Sequence, residues 1–191
     1  MFERSIRLRW VAALLLVSLG SNASAEPKDN CRYRSAGVSV PAYQVSSKEV
    51  GHPWRALYGY CLVSSKRFVV HQDWVLSYLD ADPIDTNPGG DGIGLGTDFF
   101  VRWHPDWRPS LVPYVDMGIG LQYAAVHPFP ADGSRWMFTL HAGPGWLIPL
   151  RDDRQASLTL RYLHISNAGW TGENSGYDVV HVVLGMRWGK D

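Results

Sequence analysis

Tyr177-Asp-Val-Val-His-Val-Val-Leu-Gly-Met-Arg-Trp188 alternates by twos from end to end. In an extended strand successive side chains point to opposite faces. On that period Val180, Val182, Leu184, Met186 and Trp188 share one face. Tyr177, Val179, His181, Val183, Gly185 and Arg187 share the other. Upstream, Leu111, Val115, Met117, Ile119, Leu121 and Tyr123 alternate with Tyr114, Asp116, Gly118, Gly120 and Gln122. A third stretch sets Ile93, Leu95, Phe99, Val101 and Trp103 against Gly92, Gly94, Gly96, Asp98, Phe100, Arg102 and His104. One face is large and apolar; the other mixes glycines with charges. Working outward, the pattern predicts eight strands, at 37–47, 54–64, 67–79, 91–104, 111–125, 135–149, 155–168 and 176–188, joined by turn-rich pieces such as 80–91 and 128–133.

Two architectures produce this alternation. A soluble eight-stranded barrel or sandwich turns the apolar face inward. An outer-membrane barrel turns it to lipid and fills a narrow interior with polar side chains and glycines. Three features favour the membrane version. The segments are long enough for the ~9–11 residues of a tilted bilayer crossing. Aromatics recur near strand ends (Trp54, Trp103, Trp136, Trp146, Trp188), where an interfacial girdle belongs. The polar face carries Asp98, Arg102, Asp116, His141, Arg161 and Arg187, which can pair inside a narrow barrel. The predicted fold is all-β: an eight-stranded antiparallel transmembrane barrel of the outer membrane.

Composition excludes other classes. The chain has 191 residues, 46% hydrophobic and 19% charged. Met1 to Ala25 reads as a signal peptide: a basic start, the apolar core Trp10–Leu19, and small residues at Ala23 and Ala25. That core is too short for a comfortable anchor, so residues 26–191 form the predicted single domain. Of 18 basic and 18 acidic residues the leader holds Arg4, Arg7, Arg9 and Glu3, leaving 15 and 17. A net charge near −2 gives no electrostatic case for a nucleic-acid partner. The two cysteines, Cys31 and Cys61, permit one disulfide in an exported chain, or two separate thiols. The histidines show no zinc spacing and the acids no calcium loop, so no metal or cofactor is expected. His71 and His141 fall on polar strand faces as interior partners, whereas His104 and His127 precede prolines in connections.

Chemistry concentrates in the seventh strand and its hairpin. Period two places His164 and Ser166 on one face with Leu158, Leu160 and Tyr162, the lipid-facing side. Asp178 lies on the Val180, Val182 and Leu184 face and also points outward. A hairpin centred near Gly172 predicts Asp178 opposite Ser166 and diagonal to His164. A nucleophile, a base and an acid thus converge on an apolar surface, with Asn167 and the Ala168–Gly169 amides as the local donors for an oxyanion. The plainer reading is a set of interfacial polar residues marking where strands leave the bilayer.

His164-Ile-Ser166-Asn167-Ala168-Gly169, with Asn174, Gly176 and an acid fourteen residues after the histidine, resembles the PagL-type lipid A 3-O-deacylases. Leu111-Val-Pro-Tyr-Val-Asp-Met-Gly-Ile-Gly120 is similar to that family's fifth-strand segment. The likeness covers roughly the last 80 residues; the N-terminal third agrees in pattern alone. The resemblance implies a carboxylic ester hydrolase acting on lipid A, the anchor of lipopolysaccharide, in contact with outer-membrane lipids. It implies Ser166 as nucleophile, His164 as general base and acid, and Asn167, Ala168, Gly169 and Asn174 as oxyanion or substrate-binding residues. The family's acid is commonly Glu, whereas Asp178 stands at the matching position, and Glu173 in the loop competes for the role. From a different class, a non-catalytic small barrel with a structural or adhesive role fits the same pattern. With the N-terminus in the periplasm, eight strands return the C-terminus there, which puts the 168–176 hairpin at the outward-facing end, at the level of the lipid A leaflet.

Overall fold

The protein, as a computed structural model, is described over residues 31–45, 53–81, 90–106, 111–125, 134–170 and 176–189. Eight strands form: β1 (Arg34–Gln44), β2 (Trp54–Ser64), β3 (Phe68–Ala81), β4 (Gly90–Trp103), β5 (Val112–Ala124), β6 (Trp136–Pro149), β7 (Arg154–Ser166) and β8 (Tyr177–Trp188). Each pairs antiparallel with its sequence neighbour, and β1 pairs with β8, so the sheet closes into a barrel with no free edge. Seven strands lie within two residues of their predicted bounds. The first begins at Arg34, three residues before the predicted start. Arg34 carries no apolar signal, but it pairs with Tyr60 on one side and Trp188 on the other, so closure extends the strand. The leader and its cleavage point, His127, Glu173 and Asn174 lie outside the described residues.

The barrel is inside out relative to a soluble protein. Val38, Trp74, Leu76, Ile93, Leu95 and Met117 point outward and are each about half exposed. Aromatic girdles bound this belt. Trp54, Tyr78, Tyr123 and Trp136 ring one end; Phe68, Trp103 and Trp188 ring the other, where β1 starts and β8 ends. Aqueous exposure of so much apolar surface is unfavourable, whereas in a bilayer it is solvated and the closed ladder pairs the strand backbones with one another.

The interior is polar, and its buried carboxylates Asp98 and Asp116 are paired with cations. Asp116 is fully buried and accepts two hydrogen bonds from Arg102, at 2.8 and 2.9 Å, and one from Arg161 at 3.3 Å. Asp98 accepts from Arg55 at 2.5 Å and Thr139 at 2.9 Å, with His141 at 3.3 Å. Buried charge is tolerated when paired in this way. His71 stacks on Phe100, whose ring also carries the Arg161 guanidinium 4.2 Å from its centroid. The small residues opposite these groups are a space requirement: Gly118 faces Phe100 and Gly120 faces Asp98 across the β4–β5 ladder, and a Cβ on either would overlap them.

Two links are tight at the end where β1 starts and β8 ends. Between β6 and β7, Asp152 and Asp153 adopt φ of 58° and 55°, the positive values that the central residues of a type I′ turn take, and Arg154 N–H donates back to Arg151 C=O at 3.3 Å. Cys31 and Cys61 form a disulfide with Cα atoms 5.6 Å apart, packed against Tyr33 and Val69, and it ties the segment before β1 to β2.

Candidate active site

β7 supplies two of the three candidate catalytic side chains. Its inward residues Thr159, Arg161, Leu163 and Ile165 are buried and fix which face turns out. Tyr162, His164 and Ser166 therefore occupy the outer face, toward the end opposite the start of β1 and the end of β8. β8 brings up the acid. Its inward Tyr177 and Val179 are buried, and Asp178 between them faces outward.

The pairing register corrects the sequence expectation. Asp178 lies directly opposite His164 and not opposite Ser166. The hairpin is displaced by two residues of register, which leaves every side chain on its predicted face because the period is two. The turn chemistry accounts for the difference. Ala168 and Gly169 take φ of 55° and 72°, and Trp170 N–H donates to Asn167 C=O at 3.1 Å, so the chain leaves β7 immediately after Ser166. The predicted strand ran on to residue 168. Positive φ at alanine is uncommon and signals a conformation imposed by its surroundings.

Direct opposition brings the pair into contact. His164 Nδ1 and Asp178 Oδ1 are 2.7 Å apart, with side chains 31% and 28% exposed, so the contact is reachable from the bilayer side without being fully solvated. Nδ1 held by a carboxylate leaves Nε2 as the nitrogen that can take a proton. Tyr162 adds its hydroxyl to the same Asp178 oxygen at 2.5 Å. Gly176 completes the local geometry: a Cβ there would lie 3.1 Å from Ser166 Cβ and 3.2 Å from His164 Cε1. Both side chains therefore flank the small volume that this glycine leaves open. Among the described residues no hydrogen bond joins Ser166 to His164, a looseness common before substrate binds.

Ser166 faces Phe138 across the β6–β7 ladder and His164 faces Leu140. Trp170 packs edge-on against Phe138 with ring centroids 4.8 Å apart. Asn167 is fully buried, and its Oδ1 accepts the Gly169 N–H at 2.8 Å. Two of the predicted oxyanion residues, Asn167 and Gly169, are thus joined to each other within the turn. Among the described residues no group of three His, Cys, Asp or Glu side chains is arranged to hold a metal ion.

The lipid A 3-O-deacylase (PagL) family model matches residues 41–187, which include the whole site. The chain belongs to that family. Among solved structures, the outer-membrane enzyme PagL superposes with a TM-score of 0.59 at 18% identity, over 79% of this chain and 97% of that one. The outer-membrane protein OprG from Pseudomonas aeruginosa gives 0.50 at 12% identity, over 84% and 97%. At such identities these likenesses carry the fold. No curated protein sequence matches the chain. Family, fold and apolar belt together define an outer-membrane barrel of the deacylase family.

Sequence reasoning missed two neighbours. Tyr162 read as one more residue of the lipid face, and Gly176 as a motif position without a role. Each has a legible spacing, Tyr162 two before the histidine and Gly176 two before the acid. Their meaning needs the true register.

Proposed function

We propose that this chain hydrolyses the 3-O-linked acyl ester of lipid A, with Ser166 as nucleophile, His164 as general base and acid, and Asp178 as the carboxylate that orients the imidazole. The observation that carries the reading is the 2.7 Å His164–Asp178 contact on a lipid-facing surface, two residues along β7 from Ser166. Polar groups on such a face are costly unless they serve a purpose.

The chemistry follows from the geometry. His164 Nε2 takes the Ser166 hydroxyl proton as Oγ attacks the ester carbonyl, and Asp178 stabilises the imidazolium through Nδ1–H. The tetrahedral oxyanion draws its donors from the segment after the nucleophile, Asn167, Ala168 and Gly169, and Asn174 is the further candidate donor in sequence. To serve, the Gly169 N–H exchanges Asn167 Oδ1 for the oxyanion. Collapse expels the sugar hydroxyl, which receives the proton from His164. Water then releases the acyl group from Ser166 by the same path in reverse. Phe138, Leu140 and Trp170 provide an apolar bed for the chain being cleaved, so substrate stays in its leaflet throughout.

Expression in a host that retains the 3-O-acyl chain tests the proposal. Lipid A should lose the mass of one hydroxy fatty acid less one water with the native chain and none with Ser166→Ala. Unchanged lipid A with a correctly assembled native barrel would favour the structural or adhesive reading.

A further inference from the structure

Asp178 Oδ1 accepts from two side chains on β7, His164 Nδ1 at 2.7 Å and the Tyr162 hydroxyl at 2.5 Å. Tyr162 sits opposite Val180, one pair removed from the His164–Asp178 pair, and reaches Asp178 along the diagonal of the ladder. Diagonal neighbours on a strand pair are about 7–8 Å apart, a span that a tyrosine closes and shorter side chains do not. Across β6 its partner is Ala142, which leaves the ring room to lie along the wall.

We propose that Tyr162 is a positioning residue for the deacylation reaction: its hydroxyl fixes the Asp178 carboxylate so that Oδ1 faces His164 Nδ1. The inference rests on the Ser166–His164–Asp178 reading and adds a fourth side chain to it. The carboxylate is joined to the backbone by one methylene and lies at the rim of the lipid belt, where water and lipid head groups compete for its oxygens. A second strong donor at Oδ1 removes that rotational freedom before substrate arrives. The Tyr162 proton stays on the phenol throughout the cycle, and no bond to it forms or breaks.

Tyr162→Phe keeps the ring, the girdle and the outward face while removing the hydroxyl. Its kcat should fall about tenfold with KM unchanged, about 1.4 kcal/mol of transition-state stabilisation. Tyr162→Leu should show the same fall, and both should retain heat-modifiable migration. A merely structural role predicts instead reduced amounts of folded barrel with normal turnover per folded molecule. The deciding measurement is a double-mutant cycle. In an Asp178→Asn background, adding Tyr162→Phe should cost less than twofold, because there is no carboxylate left to position. Full activity of Tyr162→Phe, or the same tenfold loss in both backgrounds, would overturn the inference while leaving the triad standing. Activity that survives Ser166→Ala would overturn the triad and this inference together.

Discussion

Gly176→Ala is the most exacting test of the site's geometry. A methyl at this position would sit 3.0 Å from the Ile165 carbonyl oxygen, 3.1 Å from Ser166 Cβ and 3.2 Å from His164 Cε1. These separations fall short of ordinary van der Waals contact by a few tenths of an ångström, so the neighbours must give way by that much. The carbonyl belongs to the β7 ladder and yields least; Ser166 and His164 are the groups that move. A 1 Å misplacement of catalytic groups costs roughly 10²-fold, so a shift of a few tenths should lower kcat roughly three- to tenfold. Stability should barely respond. Replacing glycine by alanine in extended backbone contributes about 0.5–1 kcal/mol, which offsets much of the crowding. The assay is the initial rate of hydroxy fatty acid release from lipid A in mixed micelles, normalised to folded barrel by heat-modifiable migration. Gly176→Val should be slower still. A Gly176→Ala rate within twofold of native would refute the placement of Ser166 and His164 on either side of this glycine.

Other consequences follow from the same coordinates. Asp178→Asn should cut the rate by roughly 10³–10⁴, because it favours the wrong tautomer of His164, whereas Asp178→Glu should retain measurable turnover. Glu173→Gln should be nearly silent, since Asp178 already engages Nδ1; a dead Glu173→Gln beside an active Asp178→Asn would move the acid into the loop. Asp116→Asn leaves Arg102 and Arg161 facing each other without their shared carboxylate, and urea unfolding in detergent should register a loss of about 3–5 kcal/mol. A loss below about 1 kcal/mol would deny that this pair organises the interior. Reducing Cys31–Cys61, separated by 30 residues in sequence, should lower unfolding stability by about 3–4 kcal/mol without changing turnover; identical melting with and without reductant would count against it.

The strands were legible because a membrane barrel obeys one simple rule. Met117, Ile119 and Leu121 must face lipid while Asp116, Gly118 and Gly120 face a crowded interior, and no tertiary preference can override that alternation. The outward direction of His164, Ser166 and Asp178 followed from the same rule. Register did not, since a shift of two residues preserves every face and leaves no trace in the pattern. The left-handed Ala168–Gly169 turn set the register, and alanine carries no signal for positive φ. The Tyr162 contact depends on that register and was hidden with it. Arg34 as the true start of β1 was equally silent, because closure against β8 supplies pairing that its own side chain does not announce.

Covalent labelling of Ser166 tests the central claim most directly. A long-chain alkyl fluorophosphonate reacts only with a serine whose proton a nearby base removes. Incubated with the folded barrel and mapped by peptide mass spectrometry, it should add one phosphonyl group, at Ser166. Labelling should be abolished by His164→Ala and strongly slowed by Asp178→Asn, and it should block fatty acid release from lipid A in step with occupancy. A folded, deacylating barrel that stays unlabelled at Ser166, or that carries the adduct at another serine, would contradict the account.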